Sequence, residues 1–301
     1  MDYATAYEVF FQPAPAGTPT PAPMLSSSPA RQLRDAVEPF GIHPAWSRLV
    51  NERLAAYGLN FLSGYVWGRA APMGEPVAAL VASAFAAFEP GLIAGLYEEG
   101  RSKLDRATLL RVQEEATVES LEAILGAVDV APVVAALRRG VEAADGTGRP
   151  LFSGVRALPW PQAPLAQLWR ACHALREHRG DSHIAAYTAA GFNPVEMNIL
   201  TELWVGWPLG TFSATRAWGA EHTEQALTRL RADGLLDGAT LTEAGRAARQ
   251  AIEDRTDALE QAVVEAIGPD LPEVIARLNA WGARVTESGN FPPDPRKRAA
   301  G

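Results

Sequence analysis

The sequence predicts an all-α protein: a helical body running into a smaller three-helix unit that carries two very short strands. Three observations predict it. Apolar residues recur at helical spacing from Ala30 onward, and β-branched alternation bounded by turns is absent from the first half. Two strand-like scraps, Leu235-Leu236 and Thr240-Leu241-Thr242, flank the turn Asp237-Gly238 late in the chain. Between the two parts lies the most unusual run, Leu165 to Ala190, in which Arg176-Glu177-His178-Arg179-Gly180-Asp181-Ser182-His183 sets six ionisable side chains among apolar helical residues.

Composition bounds the classes. A 301-residue chain with 48% hydrophobic and 21% charged residues can bury a sizeable core. The single cysteine, Cys172, excludes an internal disulfide and fits a reducing compartment. No run is apolar enough to span a membrane, so the expected location is cytoplasmic, with no membrane partner. A formal charge of −8 disfavours a broad nucleic-acid surface but allows a local basic patch. Four segments are expected: a Pro/Ser-rich disordered tail over 1–29, a helical body over 30–190, a winged helix over 191–268, and a C-terminal helix and tail over 269–301.

In chain order, Pro13 to Pro29 cannot build a helix, and the tail is given no site. The body then reads as helices over Arg31–Phe40, His43–Tyr57, Leu59–Ala71, Glu75–Phe88 (buried on most sides), a short Glu89–Tyr97, an amphipathic Asp105–Leu125 and Asp129–Ala144. A loop from Asp145 to Pro150 and the turn Leu158-Pro159-Trp160-Pro161 lead to Pro164, which suits a first helical turn. Asn193 is a cap candidate before Pro194. Helices over Val195–Val205, Phe212–Trp218 and Glu221–Ala232, the strand pair, and a long helix Glu243–Ile267 complete the winged helix-turn-helix plan. Leu271 to Val285 forms a last helix.

Leu227-x-x-Leu230-x-x-x-Gly234-Leu235-Leu236, followed by Leu241-Thr242-Glu243-Ala244-Gly245-Arg246, resembles the MarR family of winged-helix regulators closely. Over Ala30 to about Asp257 the chain also resembles a narrower group of actinobacterial helix-turn-helix proteins to which no chemistry is attached. That likeness rests on Gly68-Arg69-Ala70-Ala71-Pro72-Met73-Gly74, Leu158-Pro159-Trp160-Pro161, Leu175 to His183, and the two stretches above. The resemblance implies a small-molecule-responsive transcriptional regulator, double-stranded DNA as a partner, and a homodimer built on the helices flanking the wing. The residues themselves pull both ways. Arg216, Arg229 and Arg231 are the cations placed for DNA, yet Glu221, Glu224 and Asp233 make the reading helix net negative, and the wing lacks an arginine. The alternative is an enzyme or ligand binder of specialised metabolism that keeps the winged helix as scaffold.

The charged run allows two readings. If the helix runs through, Arg176, Gly180, His183 and Tyr187 share a face, while Glu177 and Asp181 stack as a like-charge pair. That pair favours a break, with Gly180 ending one helix and Asp181 or Ser182 capping the next. The run is then either an ion-paired corner or the polar wall of a pocket. In the pocket reading, Arg176, Arg179 and Arg69 hold an anion, and Trp67, Trp160 and Trp169 form apolar walls. His178 and His183, oriented by Glu177 and Asp181, are the candidate proton-transfer groups and, with them, ligand contacts. No metal and no cofactor is expected: His178 and His183 are spaced five apart, not the four of a zinc-protease helix, and no glycine-rich phosphate loop follows a strand. A Cys172–His173 dyad points apart on a helix, and Ser182 lacks a nucleophile elbow.

Overall fold

The computed structural model describes residues 2–13, 16 and 28–294, and its architecture is all-α with one two-stranded antiparallel sheet among those residues. The body comprises α1 (Tyr3–Phe10), α2 (Pro29–Gly41), α3 (His43–Trp46), α4 (Arg48–Ala55), α5 (Phe61–Ala70), α6 (Ala78–Phe85), α7 (Pro90–Lys103), α8 (Arg106–Leu125), α9 (Ala131–Ala143), α10 (Pro150–Ala157) and α11 (Pro164–Ala189). The winged helix follows with α12 (Pro194–Trp204), a 3₁₀ turn (Ser213–Arg216), α13 (Ala220–Ala232), β1 (Leu236–Asp237), β2 (Thr240–Leu241) and α14 (Glu243–Leu259). The chain then returns through α15 (Gln261–Ile267) and α16 (Leu271–Glu287).

Local chemistry sets the boundaries. Asn193 caps α12 and forms a reciprocal box with Glu196, while Thr242 caps α14 by accepting from the Gly245 amide. Gly234 takes a positive φ of 71° after α13. Gly245 has a second reason: a Cβ there would collide with the Leu235 carbonyl, so the last winged-helix element can lie on the wing only with glycine.

Three apolar clusters hold the molecule together. One joins α2, α9, α11, α15 and α16 around Phe40, Leu137, Leu168, Ile267 and Leu278. A second fills the α4–α8 region around Trp67, Tyr97 and Leu109. The third is the winged-helix core around Ile199, Leu200, Leu227 and Ile252, joined by Ala186 and Tyr187 from the end of α11. α11, 26 residues and so about 39 Å long, thus begins in the body core and ends in the winged-helix core.

Several expectations need correction. The helix does not break at Gly180: α11 runs through it, because the carboxylates that seemed to repel are separately satisfied. Glu177 is gripped by Arg69 and Arg176, and Asp181 accepts from the Phe152 amide. The expected His43–Tyr57 helix is two helices divided at Ser47, and Pro150–Ala157, given no element between the expected loop and turn, is helical. The expected buried helix over Glu75–Phe88 shrinks to α6, with Val77 and Leu80 65% and 61% exposed. It stops where Ala86 takes φ 38°, a strained value for a residue with a Cβ. The long helix expected to Ile267 bends at Glu260, and its apolar stripe meets the same chain: Val263 and Ile267 press on Gly140 of α9. The N-terminal tail is also not featureless. Tyr3–Phe10 is helical, with Phe10 against Trp46 and Phe61, while residues 1, 14, 15, 17–27 and 295–301 lie outside the described residues.

Candidate functional site

A cavity of about 280 Å³ opens where the body meets the winged helix. Its lining includes Arg176, Gly180, His183 and Tyr187, the face expected of an unbroken α11. From the body come Arg34, Glu38, Trp46, Phe61, Tyr65, Arg69, Phe85 and Phe88; from the winged helix come Met197, Asn198, Phe212, Arg216 and Glu253. Apolar groups concentrate on the α5–α6 side, and charged groups sit where α11 meets α2 and α14.

Most of the cations are already paired. Arg69 donates to both oxygens of Glu177 at 2.9 and 2.7 Å and lies over the Phe85 ring. Arg176 bridges Glu38 and Glu177 at 3.1 and 2.9 Å. Its side chain reaches Glu38 by lying along Gly41, where a Cβ would come within 2.8 Å of it. Burial alone would raise the Glu177 carboxyl, but Arg69 and Arg176, with His173, hold it well below the carboxylate range. Glu253 is the second hub: Arg179 reaches it at 2.5 Å, Arg31 at 3.0 Å and Arg249 at 2.9 Å. Burial opposes its charge too, and Arg249, Arg179 and Arg31 overcome that.

Arg216 is different. Its guanidinium lies 4.0 Å from the Phe212 ring centroid and 4.6 Å from that of Phe88, and its buried Nε has no hydrogen-bond partner. Among the described residues no carboxylate acts on it. Burial pulls its pKa down to about 10; Tyr65 favours its charge, and Arg69 and Arg176 oppose it.

The histidines divide the same way. His183 lines the cavity, and burial beside Arg249 holds it down to about 3, so the ring is neutral near pH 7. His178 lies outside the lining, bonded to Glu260 at 2.8 Å and packed edge-on against Phe152. Burial pushes Asp181, also outside the lining, up to about 7. Among the described residues no three His, Cys, Asp or Glu side chains gather as a metal site.

Of the sequence candidates, Arg69, Arg176, Arg179 and His183 therefore meet at one cavity. Glu177 stands behind it as a positioning group. Trp67, Trp160 and Trp169 are not its walls. Trp67 is fully buried and bonds the Leu104 carbonyl, Trp160 packs at the body core beneath Arg138, and Trp169 stacks on His173. The walls are Phe10, Trp46, Phe61, Phe85, Phe88 and Phe212. In sequence these looked like ordinary core aromatics, and nothing local marks them otherwise.

The reading helix carries the other candidates. Arg229 is 56% exposed and paired with Glu196 at 3.3 Å, and Arg231 donates to the Gly238 carbonyl in the wing. Arg216, placed with them by sequence, faces the cavity instead. Arg246, in the first turns of α14, is an exposed cation that sequence reasoning passed over.

A helix-turn-helix family model matches residues 30–292, nearly the whole described chain. The protein belongs to this helix-turn-helix family. Membership supports a DNA-binding regulator in general terms. No curated protein and no solved structure matches the chain. No described helix of this helix-turn-helix protein is long and apolar enough to cross a membrane.

Proposed function

We propose that this helix-turn-helix protein is a cytoplasmic, small-molecule-responsive transcriptional regulator of MarR type, acting on double-stranded DNA as a homodimer. The observation that carries the reading is Arg216. It belongs to the 3₁₀ turn just before the reading helix, yet its guanidinium sits in the cavity without a carboxylate partner among the described residues. A ligand engaging it touches the helix-turn-helix directly. The body is coupled to that turn as well: the Ala87 carbonyl accepts from Asn198 and Trp218, each at 2.9 Å, and the Glu89 amide donates to the Arg216 carbonyl. A ligand that prefers one arrangement of these groups shifts the population of reading-helix positions by its differential affinity.

The test is a selection of genomic DNA fragments at low and moderate salt, with and without a cell extract. The expected result is a palindromic site whose retention falls with salt and with Arg229→Ala, and whose extract response is lost in Arg216→Gln. The homodimer is read from sedimentation of the same preparation. Its two-fold contact uses surface other than the stripes of α15 and α16, which are spent on the body core. No enrichment at low salt, with or without extract, would sink the reading.

A further inference from the structure

The first helix of the chain is packed as a cover rather than as part of the body, and we infer that α1 is a displaceable lid on the aromatic end of the cavity. The lid governs access to the cavity and is independent of what the protein does with DNA.

α1 stands apart from the elements behind it. The helix-turn-helix family match covers residues 30–292, so α1 is an addition that precedes the shared fold. Among the described lining residues, Phe10 is the one that comes from outside that stretch. At eight residues, α1 is also below the length at which a helix holds its shape in water by itself. Its order therefore comes from the surface it lies on.

That surface is aromatic. The Phe10 ring lies 5.8 Å from that of Trp46 and 5.6 Å from that of Phe61, and Phe11 meets Trp46 edge-on at 6.2 Å. Arg48 adds a cation 5.1 Å from the centroid of the Tyr7 ring. Ala6 and Phe11 are buried and Phe10 is half-buried, whereas Tyr7 and Val9 stay 40% and 47% exposed. Trp46 and Phe61 themselves line the cavity, so lifting α1 away bares its aromatic end to solvent.

The body does not have to move for this to happen. α2 is fixed at its own start, where the Ser28 hydroxyl donates to Asp257 and Arg31 donates to Glu253. Residues 11–28 connect the two helices, so a released α1 stays at high effective concentration and closes again. A short helix held by a few rings belongs to the class of element that opens locally while the core stays folded.

The test is thiol labelling of the full chain. Cys172, the single natural cysteine, is fully buried in the body core and burial raises its pKa, so it reacts only when the body itself opens. Met197→Cys places a second thiol in the cavity wall, on α12. Phe10→Asp combined with Phe11→Asp puts charge against Trp46 and releases α1. Labelling at position 197 is then expected to speed up on the order of tenfold or more, with Cys172 unchanged. An unchanged rate at position 197 means that the cavity is entered elsewhere, and overturns the lid. Equal acceleration at both positions means that α1 holds the whole body together, and overturns it too. Hydrogen exchange of the unaltered protein needs no substitution. There the α1 amides are expected to exchange on the order of a hundredfold faster than those of α5, which carries Phe61. Exchange of α1 at the pace of α5 means that the two open together, and the lid falls whether or not the altered proteins fold.

Discussion

The cavity has two kinds of arginine. Arg69 of α5, Arg176 and Arg179 of α11, and Arg249 of α14 just behind the lining are each tied to a buried carboxylate, and two of those carboxylates, Glu177 and Glu253, hold several guanidinium groups at once. In the turn before the reading helix, Arg216 has only aromatic rings around its guanidinium among the described residues. Both are desolvated, and only the first kind is compensated. A buried charge with its counter-charge in place is a fixed part of the frame, whereas a buried charge without one is free to exchange its environment for a ligand. Sequence alone cannot separate the two kinds, since all five are arginines near apolar residues.

Breaking a hub should have the largest effect. Glu253→Leu leaves Arg31, Arg179 and Arg249 facing one another, and the expected loss is about 3–5 kcal/mol, read from the denaturant midpoint. Glu177→Gln keeps an acceptor for Arg69 and Arg176 and should cost less, about 1–3 kcal/mol. Removing the unpaired cation should do the opposite: Arg216→Gln is expected to leave stability within about 0.5 kcal/mol of the unaltered protein, because no ion pair is lost. A cost comparable to that of Glu253→Leu would erase the distinction between the two kinds.

Acid sharpens the comparison. His183 and His43, held down to about 3 and about 4 by burial, bind their protons more readily unfolded, so their stabilisation is present above about pH 6.5 and is lost as pH falls below it. Asp181, pushed up to about 7, works in the other direction: its contribution is present below about pH 4 and lost as pH rises toward 7. With two groups against one, stability should rise between pH 4 and 6.5, and it should rise more steeply in Asp181→Asn. A small effect of opposite sign is expected at Gly180. Its Cβ would meet nothing nearer than Glu177 Oε2 at 3.9 Å, so Gly180→Ala should stabilise α11 by about 0.5–1 kcal/mol while narrowing the cavity.

The helical body, the wing and the caps at Asn193 and Thr242 were legible because they depend on neighbours within a few residues. So was the face Arg176–Gly180–His183–Tyr187, which follows from helical spacing. The unbroken course of α11 was not, because it depends on Arg69, more than 100 residues earlier, neutralising the like-charge pair. Arg216 was misplaced for the same reason. Position in the chain put it beside the reading helix, whereas Phe88 of the body decides which way its side chain faces. The aromatic walls come from α1, α3, α5, α6 and the segments just before α7 and the 3₁₀ turn, stretches that only the packing brings together.

One oxygen, the Ala87 carbonyl, receives the side chains of both Asn198 and Trp218. It follows immediately after Ala86, whose φ of 38° keeps that stretch of backbone out of its relaxed basin. Mechanically this is a fulcrum. α13 starts at Ala220, two residues past Trp218, and its far end lies about 20 Å away at 13 residues, so a rotation of the Ala86–Ala87 peptide carried through Trp218 would be amplified there. On the proposed regulator reading, this shared carbonyl is the point through which a change of side-chain partners inside the cavity would reach the reading helix.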